Sequence, residues 1–166
     1  MRSRFRGLAA CAALVFWLVG SAAWAKEEEV PLDKLPKAVV DAVKAKFPGA
    51  RLLEAYKETE VGKTTYEVGL EHKGQEIDVT LTPAGKIVEV EREIEIDDLP
   101  KAVVEALKKK YPKCKLDEAE EVVADGKTLF AVAIEAADKD LIVTLDAKGT
   151  IIEEEEADDD DDEERN

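Results

Sequence analysis

"LPKAVVDAVKAKFP", Leu35–Pro48, returns almost letter for letter as "LPKAVVEALKKKYP", Leu99–Pro112. Displaced by 64 residues, the stretch Pro31–Glu91 aligns without a gap on Glu95–Glu155, with 26 identities in 61 positions and exchanges such as Phe47/Tyr111 and Tyr66/Phe130. The chain is therefore a tandem duplication of a unit of about 60 residues, and its fold is the fold of that unit used twice.

The repeated stretch reads as a helix. Leu35, Val39, Val43 and Phe47 recur every four residues with Ala38 and Ala42 beside them, which draws one apolar stripe; Leu99, Val103, Leu107 and Tyr111 draw it again. Asp33 and Asp97 are placed to cap these helices, Pro36 and Pro100 to sit in the first turn, and Pro48 and Pro112 to end them.

Beyond the helix the period falls to two. Tyr66, Val68 and Leu70 share one side of "TTYEVGLE", and Ile77, Val79 and Leu81 one side of "EIDVTLT". Phe130, Val132 and Ile134, then Leu141, Val143 and Leu145, repeat the pattern. Gly62, "DG" at Asp125–Gly126, "TPAG" and "DAKG" punctuate these runs, with Gly85 and Gly149 suited to a left-handed conformation. Weaker strands begin near Leu52 and Leu116, and last ones at Ile87 and Ile151. The expected fold is α+β: two tandem repeats, each one helix packed on a roughly four-stranded antiparallel sheet. A unit of about 60 residues buries little surface alone, so the two are expected to pack together. "IVEVEREIEI", Ile87–Ile96, is expected to be a long central strand that both share.

The ends carry different information. Arg2, Arg4 and Arg6, an apolar run from Leu8 to Val19 and "AWA" ending at Ala25 have the form of a secretory signal. The apolar run falls short of the roughly 20 residues a spanning helix requires, so no membrane span is expected after cleavage. The expected organisation is a signal peptide over 1–25, repeats over 26–92 and 93–155, and a disordered acidic tail over 156–166. Without the three leader arginines, 21 basic residues face 39 acidic ones, a formal charge of −18. Such a balance excludes an ordinary nucleic-acid binder, which presents a basic face to phosphate. Periplasmic or secreted localisation follows from the leader.

The residues "LPKAVVDAVKAKFPGA" and "YEVGLEHKGQEIDVTLTPAGKIVE", with their second-copy counterparts, resemble the PepSY-like family, including its beta-lactamase-inhibitor-like group. The resemblance extends from about Val30 to Glu155 and rests on structural landmarks: a Leu-Pro helix start, a Phe/Tyr-Pro stop, a Tyr-Glu-Val strand and a charged hairpin. "FAVAIE" in the second copy departs from "YEVGLE" in the first. The resemblance implies an exported α+β module whose relatives serve as peptidase pro-segments or inhibitors, binding enzymes across an open sheet face. It implies no catalytic residue and no cofactor.

The inventory of reactive groups agrees with a non-enzyme. After the leader the chain has no serine, no tryptophan, one histidine (His72) and one cysteine (Cys114), so a Ser-His-acid hydrolase is excluded and a histidine- or cysteine-ligated zinc site lacks ligands. Cys114 corresponds to Ala50 of the first copy and reads as a small core or edge residue. His72, in "EHKGQE", reads as a solvated turn residue. Glu155, Glu156, Asp158, Asp159 and Asp160 offer hard oxygen ligands without an EF-hand pattern, so a weak divalent-cation (calcium) role for the acidic tail is the alternative function.

The two copies differ most on the strand faces opposite the helix. Thr65, Glu67, Gly69, Glu71, Asp78 and Thr80 in the first become Leu129, Ala131, Ala133, Glu135, Ile142 and Thr144 in the second. An exposed apolar patch of that kind marks a contact surface. Leu129, Ala131, Ala133, Ile142 and Thr144 are therefore the candidate binding residues, for a protein partner such as an enzyme of the same compartment, or for a second copy of the chain in a homodimer.

Overall fold

The computed structural model describes residues 26–60, 62–137 and 139–157. The expected signal peptide and most of the expected tail lie outside the described residues. Among the described residues, nine strands and two α-helices make an α+β protein. The chain divides into two compact units, one containing the described residues through Glu93 with Val122–Lys127, the other Ile94–Glu121 and the described residues from Thr128 onward.

In the first unit, β1 (Lys26–Glu29) precedes α1 (Lys37–Lys46), followed by β2 (Arg51–Glu60), β3 (Lys63–His72), β4 (Gln75–Leu81) and β5 (Ile87–Ile94). Each strand pairs antiparallel with the next. The first unit has five strands where about four were expected. β1 is the addition, and "KEEE" carries no apolar alternation that could announce it. β5 stops at Ile94, and a 3₁₀ turn over Ile96–Asp98 follows.

Next in the chain come α2 (Lys101–Lys110), β6 (Lys115–Ala124), β7 (Lys127–Ala136), β8 (Lys139–Asp146) and β9 (Ile151–Glu156), which belong to the second unit except for Val122–Lys127, with β7, β8 and β9 antiparallel in order. The acidic stretch thus begins inside a strand. Glu156, expected in the tail, pairs with Leu141 of β8, and its carboxylate holds Lys139.

The helix starts differ from expectation in detail. Each helix opens at the lysine after proline, with Pro36 or Pro100 as the N-cap and no side-chain capping bond. Asp33 lies instead in a separate 3₁₀ turn, Leu32–Lys34, and Asp97 in its counterpart. Proline disfavours a helical conformation in the residue before it, so Leu35 and Leu99 are extended and break the turn from the helix. The proline carbonyls still accept the first helical bonds, from Val39 and Val40 at 3.0 and 3.2 Å, and from Val103 and Val104 at 2.9 and 3.2 Å.

The helix stripe packs on one sheet face in each unit. Leu35, Val39, Val43 and Phe47 meet Ala55, Val68, Leu70, Ile77, Val79 and Leu81 in the first core. Leu99, Val103 and Leu107 meet Ala119, Phe130, Val132, Ile134, Val143 and Leu145 in the second. The turn before the last strand of each copy presses on the helix backbone. A Cβ on Gly85 would lie 2.4 Å from the Ala38 carbonyl oxygen, and one on Gly149 2.3 Å from that of Ala102, with both glycines at positive φ. Only a residue without a side chain lets the turn approach this closely.

Among the described residues, no helix is long and apolar enough to cross a membrane.

Candidate functional site

The five residues expected to form an exposed patch are on β7 and β8, where Ala131 faces Thr144 and Ala133 faces Ile142 across the ladder. Leu129 is half-buried, but the other four are not exposed: Ala131 is 4% accessible, Ala133 1%, Ile142 7% and Thr144 6%. Directly opposed side chains in an antiparallel pair stand about 5 Å apart at Cβ, so the short alanines lie below the level of Ile142 and Thr144. On the other flank Glu155 faces Ile142 and Glu153 faces Thr144, both half-buried, their aliphatic stems beside the taller residues. Sequence pattern assigns these residues to a face. It does not reveal the relative heights of their neighbours.

The corresponding face of the first unit is carboxylate-rich. The ladders place Glu54 beside Gly69, and Gly69 beside Asp78; one pair along, Tyr56 is beside Glu67 and Glu67 beside Thr80. Gly69 leaves a gap into which both acidic neighbours lean. A Cβ there would meet Glu54 Cγ at 3.1 Å and Asp78 Oδ1 at 3.2 Å. Burial, reinforced by Asp78, Glu27, Glu58 and Glu89, pushes the Glu67 carboxyl up to about 7. Burial, reinforced by Glu54 and Glu76, pushes Asp78 up to about 6.

Both groups bind their proton more tightly in the folded chain than in the unfolded one, so their contribution favours folding at acid pH. It is fully present below the unfolded carboxylate range, about 4, and is lost as pH rises through about 6 and 7. The urea midpoint is therefore expected to fall between pH 5 and 8 by a margin that Glu67→Gln reduces. Parallel pH profiles for wild type and variant would contradict this.

Elsewhere the chemistry is structural. His72 packs its ring edge-on against Phe47, 5.6 Å between centroids, and is half-buried rather than a solvated turn residue. The Cys114 thiol is half-buried, and burial pushes its pKa up, with Lys108 acting in the opposite direction. A raised pKa keeps it a thiol, the unreactive form. Among the described residues, no group of three or more His, Cys, Asp or Glu is arranged to hold a metal ion. Glu155 and Glu156, adjacent on β9, point to opposite sides of the strand; Asp158, Asp159 and Asp160 lie outside the described residues.

The lysine-rich end of α2 is tied to β9. Lys110 Nζ and the Tyr111 hydroxyl both donate to the Glu154 carboxylate, and Lys110 lies 5.5 Å from the Tyr111 ring centroid. Glu154 raises the ammonium pKa of Lys110 above its usual value. Glu154→Gln should lower it in an NMR titration, and an unmoved Lys110 would exclude the clasp in solution.

Strands and helices arranged in this way, with no group of three or more His, Cys, Asp or Glu placed to hold a metal ion among the described residues, define the class as an α+β protein. The chain belongs to the family described as "Putative beta-lactamase-inhibitor-like, PepSY-like", whose pattern matches residues 15–89 and again 81–153. No curated protein matches it. Among solved structures it is similar to a BLIP-like protein from Bacteroides fragilis NCTC 9343, with 22% identity, 76% of this chain and 90% of that chain covered, and a TM-score of 0.60. It is similar also to a DUF2874 family protein from Bacteroides ovatus ATCC 8483, with 17% identity, coverage of 78% and 93%, and a TM-score of 0.63. A third, described as a putative periplasmic protein, comes from Bacteroides eggerthii DSM 20697, with 16% identity, coverage of 73% and 88%, and a TM-score of 0.62. At these identities the likeness is one of fold.

Proposed function

We propose that the protein is an exported, non-catalytic binding protein that acts as an inhibitor or modulator of an enzyme in its own compartment. Its location is periplasmic or secreted, in line with the leader pattern at its N-terminus and the description of the Bacteroides eggerthii protein. On this reading the two copies, residues 26–92 and 93–155, each lay one helix on one face of their strands.

One observation carries the reading. α1 covers one face of the first sheet, while Glu27, Glu54 and Glu58 stand exposed on the other. That second face is open at β1 and β2 and closes towards β5, where Glu89 and Glu91 are buried, so its open part offers a rigid surface for contact. On the second unit the reading assigns contact to Leu129 at the rim, with Ala131, Ala133, Ile142 and Thr144 as the floor beneath it. The family description points to an enzyme as partner; a second copy of this chain is the competing occupant.

Photo-crosslinking residues at Glu67 and Leu129, on the sheet faces, and at Lys44 and Lys108, on the helices, test this in cells. Adducts of one discrete enzyme from the sheet positions and none from the helix positions are expected. Adducts from the helices alone would overturn the reading, and adducts of twice the chain's mass would replace the enzyme with a homodimer.

A further inference from the structure

The sheet face of the first unit opposite α1, uncovered at β1 and β2 and buried at Glu89 and Glu91 of β5, has a definite chemical character. Register places Glu27 of β1, Glu54 and Glu58 of β2, Glu67 of β3 and Asp78 of β4 on it. Lys63 stands at the hairpin end and Arg51 at the other, where its guanidinium is held by Glu71 at 2.6 Å. Between these ends every charged side chain that β1–β4 direct to this face is acidic.

The carboxylates are spread over four strands, which lie about 4.8 Å apart, and they do not converge on a point. Among the described residues none of them forms a cluster able to hold a metal ion. A single small cation therefore cannot neutralise the face, whereas a chain carrying positive charge at several side chains can. β3 has ten residues, and at about 3.3 Å per residue its length suits an extended basic segment.

The acids of this face also act on one another. The charged neighbours that act on Glu67 are Asp78, Glu27, Glu58 and Glu89, and those that act on Asp78 are Glu54 and Glu76. Each of these neighbours is acidic, so the groups repel one another. Bringing lysine or arginine onto the face relieves that repulsion. This property belongs to the first copy alone, because the residues equivalent to Glu67, Gly69 and Asp78 are Ala131, Ala133 and Ile142.

We propose that the uncovered sheet face of the first unit docks a lysine- or arginine-rich segment of a partner protein, an inference that rests on reading the chain as a binding protein. Charge complementarity of this kind accelerates encounter and selects among partners by sign. Binding is also linked to protons, since a cation beside Glu67 favours its ionised form.

Decalysine is a suitable probe for the full-length chain, titrated calorimetrically at pH 7 and about 0.1 M salt, where screening acts over roughly 10 Å. The acidic C-terminal stretch binds it too, so the comparison is between two variants that each lose three charges. The face variant is Glu54→Gln with Glu67→Gln and Asp78→Asn; the control is Asp97→Asn with Asp98→Asn and Glu105→Gln, all exposed on the second unit. The face variant should weaken decalysine binding about tenfold and the control less than about twofold. Wild type should release protons on binding, read from buffers of different ionisation heat, and the face variant should not. Equal losses in the two variants mean that net charge alone binds and overturn the proposal. If sheet-face crosslinks still form in that case, only the cationic partner is lost; if they do not form, the binding reading itself fails.

Discussion

Gly149→Ala is expected to destabilise the protein by about 3–5 kcal/mol, whereas Gly126→Ala should cost only about 1–2 kcal/mol. Both glycines hold positive φ, 82° and 74°, so both substitutions incur the penalty of a left-handed backbone at a residue with a Cβ. They differ in what that Cβ would meet. At Gly126 there is nothing within 4 Å, but at Gly149 the Ala102 carbonyl oxygen is 2.3 Å away and its carbon 2.9 Å. A flexible side chain could move aside. A helix carbonyl cannot, because it belongs to the backbone of α2, and separating turn from helix would open the core lined by Val103 and Leu107. Gly85→Ala should repeat the result against Ala38 in the first unit. Urea unfolding of the four proteins is the measurement, with fluorescence and circular dichroism compared to detect separate transitions of the two units. Equal midpoints for Gly149→Ala and Gly126→Ala would mean that the turn does not bear on the helix.

These glycines show how far local sequence carries. "TPAG" and "DAKG" identify a left-handed glycine, and the observed φ values of 80° and 82° agree. That the glycine also touches a helix backbone follows only from tertiary packing. The helix stripe and the alternation of β3, β4, β7 and β8 were equally legible, because burial against one partner face imposes a period on the sequence. Asp33 and Asp97 misled as caps because the proline after Leu35 and Leu99 displaces the helix start by several residues. β1 gave no signal, since a charged strand recruited to a sheet edge obeys neither period nor propensity.

The candidate site was legible in one respect. The strand period placed Leu129, Ala131, Ala133, Ile142 and Thr144 on a common face, and it placed Glu67 and Asp78 on the matching face of the first copy. Accessibility was not legible, because it depends on residues that are distant in sequence and adjacent in the ladder. Alanines beside Ile142 and Thr144 become floor. The convergence of Glu54 and Asp78 over Gly69 comes from two different ladders meeting at one strand and has no linear signature either.

The burial of that floor sets the second large effect. Ala133→Glu is expected to destabilise the protein by about 3 kcal/mol or more at pH 7, and so cannot serve as a clean probe of binding. The site is 1% accessible and opposed by Ile142, and the next pair on the same face, Glu135 with Asp140, is acidic. A carboxylate placed there either ionises without solvation or takes up a proton. Keeping a glutamic acid neutral at pH 7, against an unfolded value near 4.3, costs about 3.7 kcal/mol at 1.36 kcal/mol per pH unit; partial solvation lowers this and crowding against Ile142 raises it. The cause is identifiable by pH. A buried glutamic acid has a folded-state pKa above its unfolded value, so its penalty is largest at high pH and shrinks as pH falls towards the unfolded value. The deficit of Ala133→Glu relative to Ala133→Ser should therefore narrow steadily between pH 8 and 5. A deficit that does not change with pH would point to steric overpacking alone. Leu129→Glu, at the half-buried rim, should cost less than about 1.5 kcal/mol, since its carboxylate can reach water. Only the rim substitution separates loss of a partner from loss of the fold, so a binding role for this face has to be tested at Leu129.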